Sequence, residues 1–148
     1  MVKRFVVVFG GRKFNNKKIF YRFMDKYHAK YKFTDVVSGG ASGTDTLAIE
    51  WAKDNRLSVH IERAQWQDFR EPCLRKSGPF GDYNALAGSN RNQLMIDKYK
   101  PQYAVEFPGG TGTADMSKRV AKHAKKTGCK HITIKQRNKE IFVFGSNT

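Results

Sequence analysis

Two kinds of apolar pattern alternate along the chain. The first is a short unbroken run, FVVVF at residues 5–9, closed by Gly10 and Gly11. A run that is apolar on both faces suits a central parallel strand and predicts strand structure over 4–9. The second is a helical stripe. Ile19, Phe20, Phe23, Met24 and Tyr27 recur at three- and four-residue spacing, which predicts a helix over 15–31 capped by Asn15 or Asn16. The alternation continues. A strand over 33–37 leads into SGGASGTD, a helix over 44–55 carries Leu47, Ala48, Trp51 and Ala52 on its inner face, and a strand follows over 58–62. Later come a short helix over 90–99, a strand over 102–107 leading into PGGTGTAD, a helix over 113–126 stopped by Gly128, and a strand over 130–135. The closing stretch, 136–148, ends in IFVFGSNT and reads as an extra edge strand or as the start of a further element.

Regular strand–helix alternation predicts an α/β fold, a Rossmann-like open parallel sheet with helices on both faces, in one domain over 1–148. Residues 63–89 break the rhythm and predict a long loop or lid. Its Trp66, Phe69, Phe80 and Tyr83 either stack on a base or form the loop's own small core.

Composition narrows the partners. The chain has 148 residues and a net charge of +15. Residues 1–32 hold ten basic side chains and one acidic, residues 112–148 nine and two, and the middle is near neutral. Such a balance favours anionic partners, or else describes solvated helix faces. Cys73 and Cys129 lie far apart without ligand spacing, which argues against a zinc site or a disulfide scaffold and predicts a reducing, cytoplasmic setting. The four histidines show no ligand spacing, so no metal is expected. The apolar start is too short for a signal peptide, and no stretch has the length of a membrane span.

Three glycine-rich segments should meet at the carboxyl ends of the strands, where open parallel sheets hold ligands. They are Gly10-Gly11-Arg12-Lys13, Gly39-Gly40-Ala41-Ser42-Gly43-Thr44 and Gly109-Gly110-Thr111-Gly112-Thr113. Glycine lets main-chain N–H groups approach an anion, each following helix offers free N–H groups, and the Ser42, Thr44, Thr111 and Thr113 hydroxyls add donors. Any one loop alone is better explained by a tight strand–helix turn; three at corresponding positions point to phosphate. Neither GxGxxG after the first strand nor GxxxxGK[ST] is present, which disfavours P-loop hydrolysis of ATP. Asn90, Arg91 and Asn92 open the short helix beside the third loop, and Arg91 is suited to bidentate pairing with phosphate. Asp45 and Asp115 either cap their helices or face the ligand. Glu106, at the end of a buried strand, should face the crevice or a basic partner.

GGRKF, SGGASGTDTLAIEWA, SNRN and FPGGTGTADM, in this order and spacing over residues 4–135, together resemble the SLOG superfamily and within it the small YspA-like proteins. The resemblance implies a Rossmann-like fold that binds a nucleotide or nucleotide-derived ligand. It also points to the LOG enzymes, which cleave the N-glycosidic bond of nucleoside monophosphates through PGGxGTxxE and an arginine on the preceding helix. Pro108, Gly109, Gly110, Gly112 and Thr113 match that motif and Arg91 stands where the arginine would, but the glutamate position is Met116. Asp115 is the neighbouring substitute, turned by about 100° on a helix. A third branch, resembling the DNA-processing protein A family, implies single-stranded DNA binding. Against a single groove for a strand, the basic helices over 15–31 and 113–126 should lie on opposite faces if the crossovers are right-handed.

The leading expectation is a binding protein for a nucleoside phosphate, nucleotide sugar or ADP-ribose-like ligand, with no further cofactor. The alternatives are hydrolysis of a nucleoside 5'-monophosphate, with Arg91, Asp115 and Asp45 as catalytic candidates, and nucleic-acid binding. SLOG-like enzymes are often dimers, so a homo-oligomer is in keeping with the resemblance, although no apolar interface stripe stands out.

Overall fold

The computed structural model describes residues 2–137 and 140–144. Its elements in chain order are β1 (Phe5–Phe9), α1 (Lys17–Tyr31), β2 (Asp35–Ser38), α2 (Thr44–Asp54), β3 (Ser58–Ile61), β4 (Arg75–Gly78), β5 (Gly81–Asn84), α3 (Ala87–Tyr99), β6 (Tyr103–Glu106), α4 (Thr111–Thr127), β7 (Lys130–Arg137) and β8 (Glu140–Phe144). Six strands form one sheet in the order β3-β2-β1-β6-β7-β8, the first five parallel and β8 antiparallel to β7. The unbroken valine run explains why β1 is central, since Val6, Val7 and Val8 are all 0% exposed.

Helices cover both faces. Phe20 and Met24 of α1 and Leu47 and Trp51 of α2 pack with Val6, Val8, Val36 and Ile132 on one side. Met95 and Ile96 of α3 and Met116 and Val120 of α4 pack with Val7, Val37 and Ala104 on the other. The basic helices α1 and α4 therefore lie on opposite faces. Strand order reverses between β1 and β6, and that switch point is where the loops after the two strands open a crevice.

The fold departs from the sequence reading in four places. Residues 63–89 are not a structureless lid, because β4 and β5 pair as an antiparallel hairpin. The Asn84 side chain buckles that segment: its Oδ1 accepts from the N–H groups of Leu74 and Leu86, and its Nδ2 donates to the carbonyls of Asp68 and Pro72. Helix α3 starts at Ala87, so Arg91 lies a full turn inside it, and α4 starts at Thr111, so Gly112 and Thr113 lie in its first turn. The last strand runs against the parallel set; the end of the IFVFGSNT stretch, 145–148, lies outside the described residues. Among the described residues, no helix is long and apolar enough to cross a membrane, and no group of three or more His, Cys, Asp or Glu is placed to hold a metal ion.

Candidate functional site

A cleft of about 1150 Å³ opens over the switch point. Its floor is Gly10, Gly11, Arg12 and Lys13 after β1, facing Pro108, Gly109 and Gly110 after β6. One wall is Phe14, Asn15 and Asn16 before α1; the other is Trp66 with Gly88, Ser89, Arg91 and Asn92 of α3.

The two floor loops touch. The Gly11 N–H donates to the Pro108 carbonyl at 2.9 Å. A Cβ on Gly109 would fall onto the Thr113 hydroxyl and within 2.6 Å of the Gly11 nitrogen, so only glycine fits that approach. Helix α4 then begins at Thr111 with Gly110 as its N-cap, and no side chain caps it. The first N–H of the helix with an acceptor four residues back is that of Ala114, on Gly110. The N–H groups of Thr111, Gly112 and Thr113 precede it, and all three residues line the cleft. Thr113 is 8% exposed, lines the same cleft, and its hydroxyl has no hydrogen-bond partner among the described residues.

The middle glycine loop behaves differently from the sequence reading. Gly39, Gly40, Ser42, Gly43 and Thr44 do not line the cleft; from this loop and the turn after it, only Ala41 and Asp45 do. The loop is packed behind the first one and supports it. Thr44, 0% exposed, donates through both its N–H and its hydroxyl to the Gly11 carbonyl, at 3.1 and 3.0 Å. Ser42 Oγ donates to the Arg12 carbonyl. Gly43 has a φ of +72°, and a Cβ there would strike the Arg12 carbonyl, which requires glycine for packing. Two arginines fasten the loop from the β3 side: Arg91 Nη1 donates to the Gly39 carbonyl at 2.7 Å and to the Glu62 carbonyl at 3.3 Å, and Arg63 Nη1 donates to the Gly40 carbonyl.

Arg91 thus has a dual position. One guanidinium nitrogen is spent on carbonyls, Nε donates to Asn92 Oδ1, and Nη2 has no hydrogen-bond partner among the described residues. Burial lowers its pKa, with the nearby Asp45 charge opposing and Arg12 adding to the shift. Asp45 is 7% exposed, and its Oδ2 accepts the Ala41 N–H at 3.1 Å, so it ties its own loop as well as facing the cleft. Burial pushes its carboxyl above the ordinary carboxylate range, against the pull of that N–H, Arg91 and Arg12.

Asp115 is held otherwise. Burial alone would raise it, but hydrogen bonds from Arg119 Nε at 2.9 Å and Asn92 Nδ2 at 3.0 Å, with the Arg119 charge, outweigh that and hold it below its ordinary value. It is a carboxylate that accepts from Asn92 and Arg119 at Oδ2 and from Arg119 at Oδ1, while its side chain stays 30% exposed in the cleft. Met116 is buried in the core under α4. Two candidates leave the site. Asn90 turns away, with its Nδ2 donating to the Pro72 carbonyl, and does not line the cleft. Glu106 pairs with His131 Nε2 at 2.9 Å beneath the sheet's end. The walls that sequence reasoning missed, Phe14, Asn16, Gly88 and Ser89, come from helix starts, and a signal existed in the small-residue pair Gly88-Ser89 before the Asn-Arg-Asn segment.

An open sheet of order β3-β2-β1-β6-β7-β8, with its cleft at the reversal and a helix end open into it, defines a Rossmann-like α/β protein. Residues 4–69 match the model of the YspA, cpYpsA-related SLOG family, and the resemblance to SLOG proteins carried by the glycine motifs is borne out. In fold the chain is similar to the DNA processing protein A (DprA) of Streptococcus pneumoniae, with a TM-score of 0.65 and 17% identity over 92% of this chain. The chain spans about half of that structure, 52% of its length. At that identity the likeness is one of fold. No curated protein matches the chain in sequence.

Proposed function

We propose that the cleft binds a nucleotide or nucleotide-derived ligand, a nucleoside phosphate, nucleotide sugar or ADP-ribose-like molecule, with a phosphate seated at the N-terminus of α4. The observation that carries this reading is the start of α4, where no side chain caps the N–H groups of Thr111, Gly112 and Thr113 and the Thr113 hydroxyl, on a residue 8% exposed, has no hydrogen-bond partner among the described residues. A helix start of this kind offers several N–H donors and a positive dipole end to one anion, and the hydroxyl adds one more donor. Arg12 and Lys13 across the floor add exposed positive charge, and Arg91, held by its carbonyl partners, adds a fixed one.

The same geometry favours binding over glycosidic hydrolysis. A general acid or base needs a titratable group free to exchange its proton with the substrate. Arg119 and Asn92 hold Asp115 below its ordinary pKa, which makes it a poor proton carrier, and Met116 fills the place where the resembled enzymes carry a glutamate. Asp45 keeps a raised pKa in the cleft, but its carboxylate is tied to the Ala41 N–H.

The test is a thermal-shift series with AMP, ADP, ATP, ADP-ribose and NAD, each mixture chromatographed afterwards. A ligand at a hundred times its dissociation constant adds about 2.7 kcal/mol of stability. A raised melting point with the nucleotide recovered intact supports the reading. Released base would move the protein to the hydrolases. No shift with any of these, together with affinity for oligonucleotides that grows with length and falls steeply with salt, would replace the reading with nucleic-acid binding.

A further inference from the structure

The segment 63–89 contributes one aromatic ring to the cleft, and its setting differs from that of every other ring there. Phe9 and Phe14 also line the cleft, but both pack into the core: Phe9 with Val7 and Met116, Phe14 against Phe107 at 5.4 Å between ring centroids. Trp66 belongs to neither core cluster. Of its three companions in the segment, Phe69 lies under the Arg75 guanidinium, Phe80 is fully exposed at the hairpin tip, and Tyr83 meets Trp66 near-perpendicularly at 6.4 Å. Among the described residues no ring lies parallel to the indole.

The indole is nonetheless held in place. The Trp66 carbonyl accepts the Asn84 N–H at 2.7 Å, and Asn84 itself buckles the segment through four side-chain hydrogen bonds. Its Cη2 lies 3.6 Å from where a Cβ on Gly88 would stand, so the ring rests over the first turn of α3 at a position without a side chain. Four residues along the same helix, Asn92 Nδ2 donates to the Gly112 carbonyl and to Asp115 in the first turn of α4. The contact with the indole and the contact with the α4 start are therefore four residues apart on one helix, about 6 Å along α3, and both border the same cleft.

We infer that Trp66 is the stacking platform for the base, or other planar ring, of the ligand whose phosphate sits at the α4 N-terminus. The inference rests on the nucleotide reading above and adds to it the residue that distinguishes a nucleotide from a bare sugar phosphate. The face of an indole stacks on any base, so Trp66 supplies affinity for a planar ring without selecting among bases. A fixed platform also loses little conformational entropy on binding.

The protein carries its own probe. It has two tryptophans, and Trp51 is 0% exposed with its Nε1 bonded to Asp25, so a change in emission on binding reports Trp66. The experiment titrates the full chain with AMP, GMP, CMP, UMP and ribose 5-phosphate, and follows both emission and calorimetric affinity. The nucleoside monophosphates should quench emission and ribose 5-phosphate should not. Trp66→Ala should weaken the nucleoside monophosphates by about tenfold or more, on the scale of one lost base–aromatic stack, and leave ribose 5-phosphate unchanged. Trp66→Phe, which keeps a ring, should retain most of the affinity and abolish the emission change. If all five ligands bind and Trp66→Ala weakens none of them, or weakens all equally, Trp66 is not the platform while the nucleotide reading stands. If neither these five nor the ADP, ATP, ADP-ribose and NAD of the thermal-shift series bind the unaltered protein, the nucleotide reading and this inference fall together.

Discussion

The main-chain N–H of Gly11 donates to the carbonyl of Pro108 across 2.9 Å, and this bond joins two loops that lie 97 positions apart in the sequence. It sets the width of the crevice floor at the point where strand order reverses. The same glycine's carbonyl accepts from the N–H and hydroxyl of Thr44, so most of the middle loop acts on the site by holding the first, and only Ala41 and Asp45 reach the cleft themselves. The three glycine loops do meet, but as two loops facing the cleft and one standing behind them.

Gly109→Ala tests that junction. The added methyl would meet the Thr113 hydroxyl and the Gly11 nitrogen, and main-chain atoms cannot step aside cheaply. The variant should lose about 1–3 kcal/mol of stability, the usual cost of overpacking, and should lose its nucleotide-induced rise in melting point. A variant that folds with unchanged stability and still responds to nucleotide would show that the floor is not built as described.

Asn84→Ala tests whether residues 63–89 are a wall or a lid. Asn84 is 2% exposed, and its removal leaves the N–H groups of Leu74 and Leu86 and two carbonyls without their side-chain partner. Unsatisfied buried groups cost about 1–3 kcal/mol each when water cannot reach them, so a urea melt should show a loss of at least about 2 kcal/mol. Proteolysis should cut first within this segment in the variant. A loss under about 0.5 kcal/mol, the range of ordinary surface changes, would mean that the segment is held by other contacts.

Much of this was legible in the residues. The valine run of β1 has apolar side chains for both faces of the sheet, and the stripe of α1 has them for one, so strand, helix and layer order followed from periodicity. The alternation of β1, α1, β2, α2 and β3, followed later by β6, α4 and β7, left a Rossmann-like sheet as the consistent solution. The role of the middle loop was not legible. SGGASGTD has the composition of a phosphate cradle, but the carbonyls of Arg12 and Gly11 consume its donors, and those contacts span 30 residues or more. Local composition reports which groups can donate; it does not report what arrives to accept. The hairpin hidden in 63–89 escaped for a related reason. Its strands read RKSG and GDYN, with no apolar alternation, because Asn84 and the turn hold them and apolar burial does not.

Two aspartates of the cleft should respond to pH in opposite senses. Asp45 binds its proton more tightly in the folded chain than in the unfolded one. Between the ordinary Asp value and the raised one, folding takes up a proton, so its contribution to stability falls as pH rises through that window. Asp45→Asn removes the penalty and can keep an oxygen on the Ala41 N–H. Relative to the unaltered protein, its melting point should therefore climb as pH rises above the ordinary carboxylate range. Asp115 is held below its ordinary value, so its stabilisation is present above that value and lost as pH falls through the depressed one. Asp115→Asn should be less stable at neutral pH, with the deficit closing in acid. Scanning fluorimetry across about pH 3 to pH 8 reads both, and parallel curves for the two variants would contradict the assignment.

Arg12 and Arg91 separate binding from scaffolding. Both carry positive charge into the cleft, but their attachments differ. The Arg12 side chain is exposed and donates no hydrogen bond to another described residue, whereas Arg91 holds the Gly39 and Glu62 carbonyls and stands beside the buried Asp45. Arg12→Ala should leave the melting point of the free protein almost unchanged, within the roughly ±0.5 kcal/mol of an exposed substitution. It should weaken a nucleoside monophosphate by about tenfold, as a lost charge-assisted hydrogen bond does. Arg91→Ala should weaken binding as well, but it should also cost about 2 kcal/mol of stability in the free protein, since two carbonyls lose a charged donor. Calorimetric titration and a denaturant melt on each variant resolve the two effects. Equal losses of stability in both variants would mean that Arg12 is also structural. A loss of stability without a loss of affinity in Arg91→Ala would confine that residue to holding the middle loop, and would leave the phosphate to the α4 amides, Thr113 and the first glycine loop.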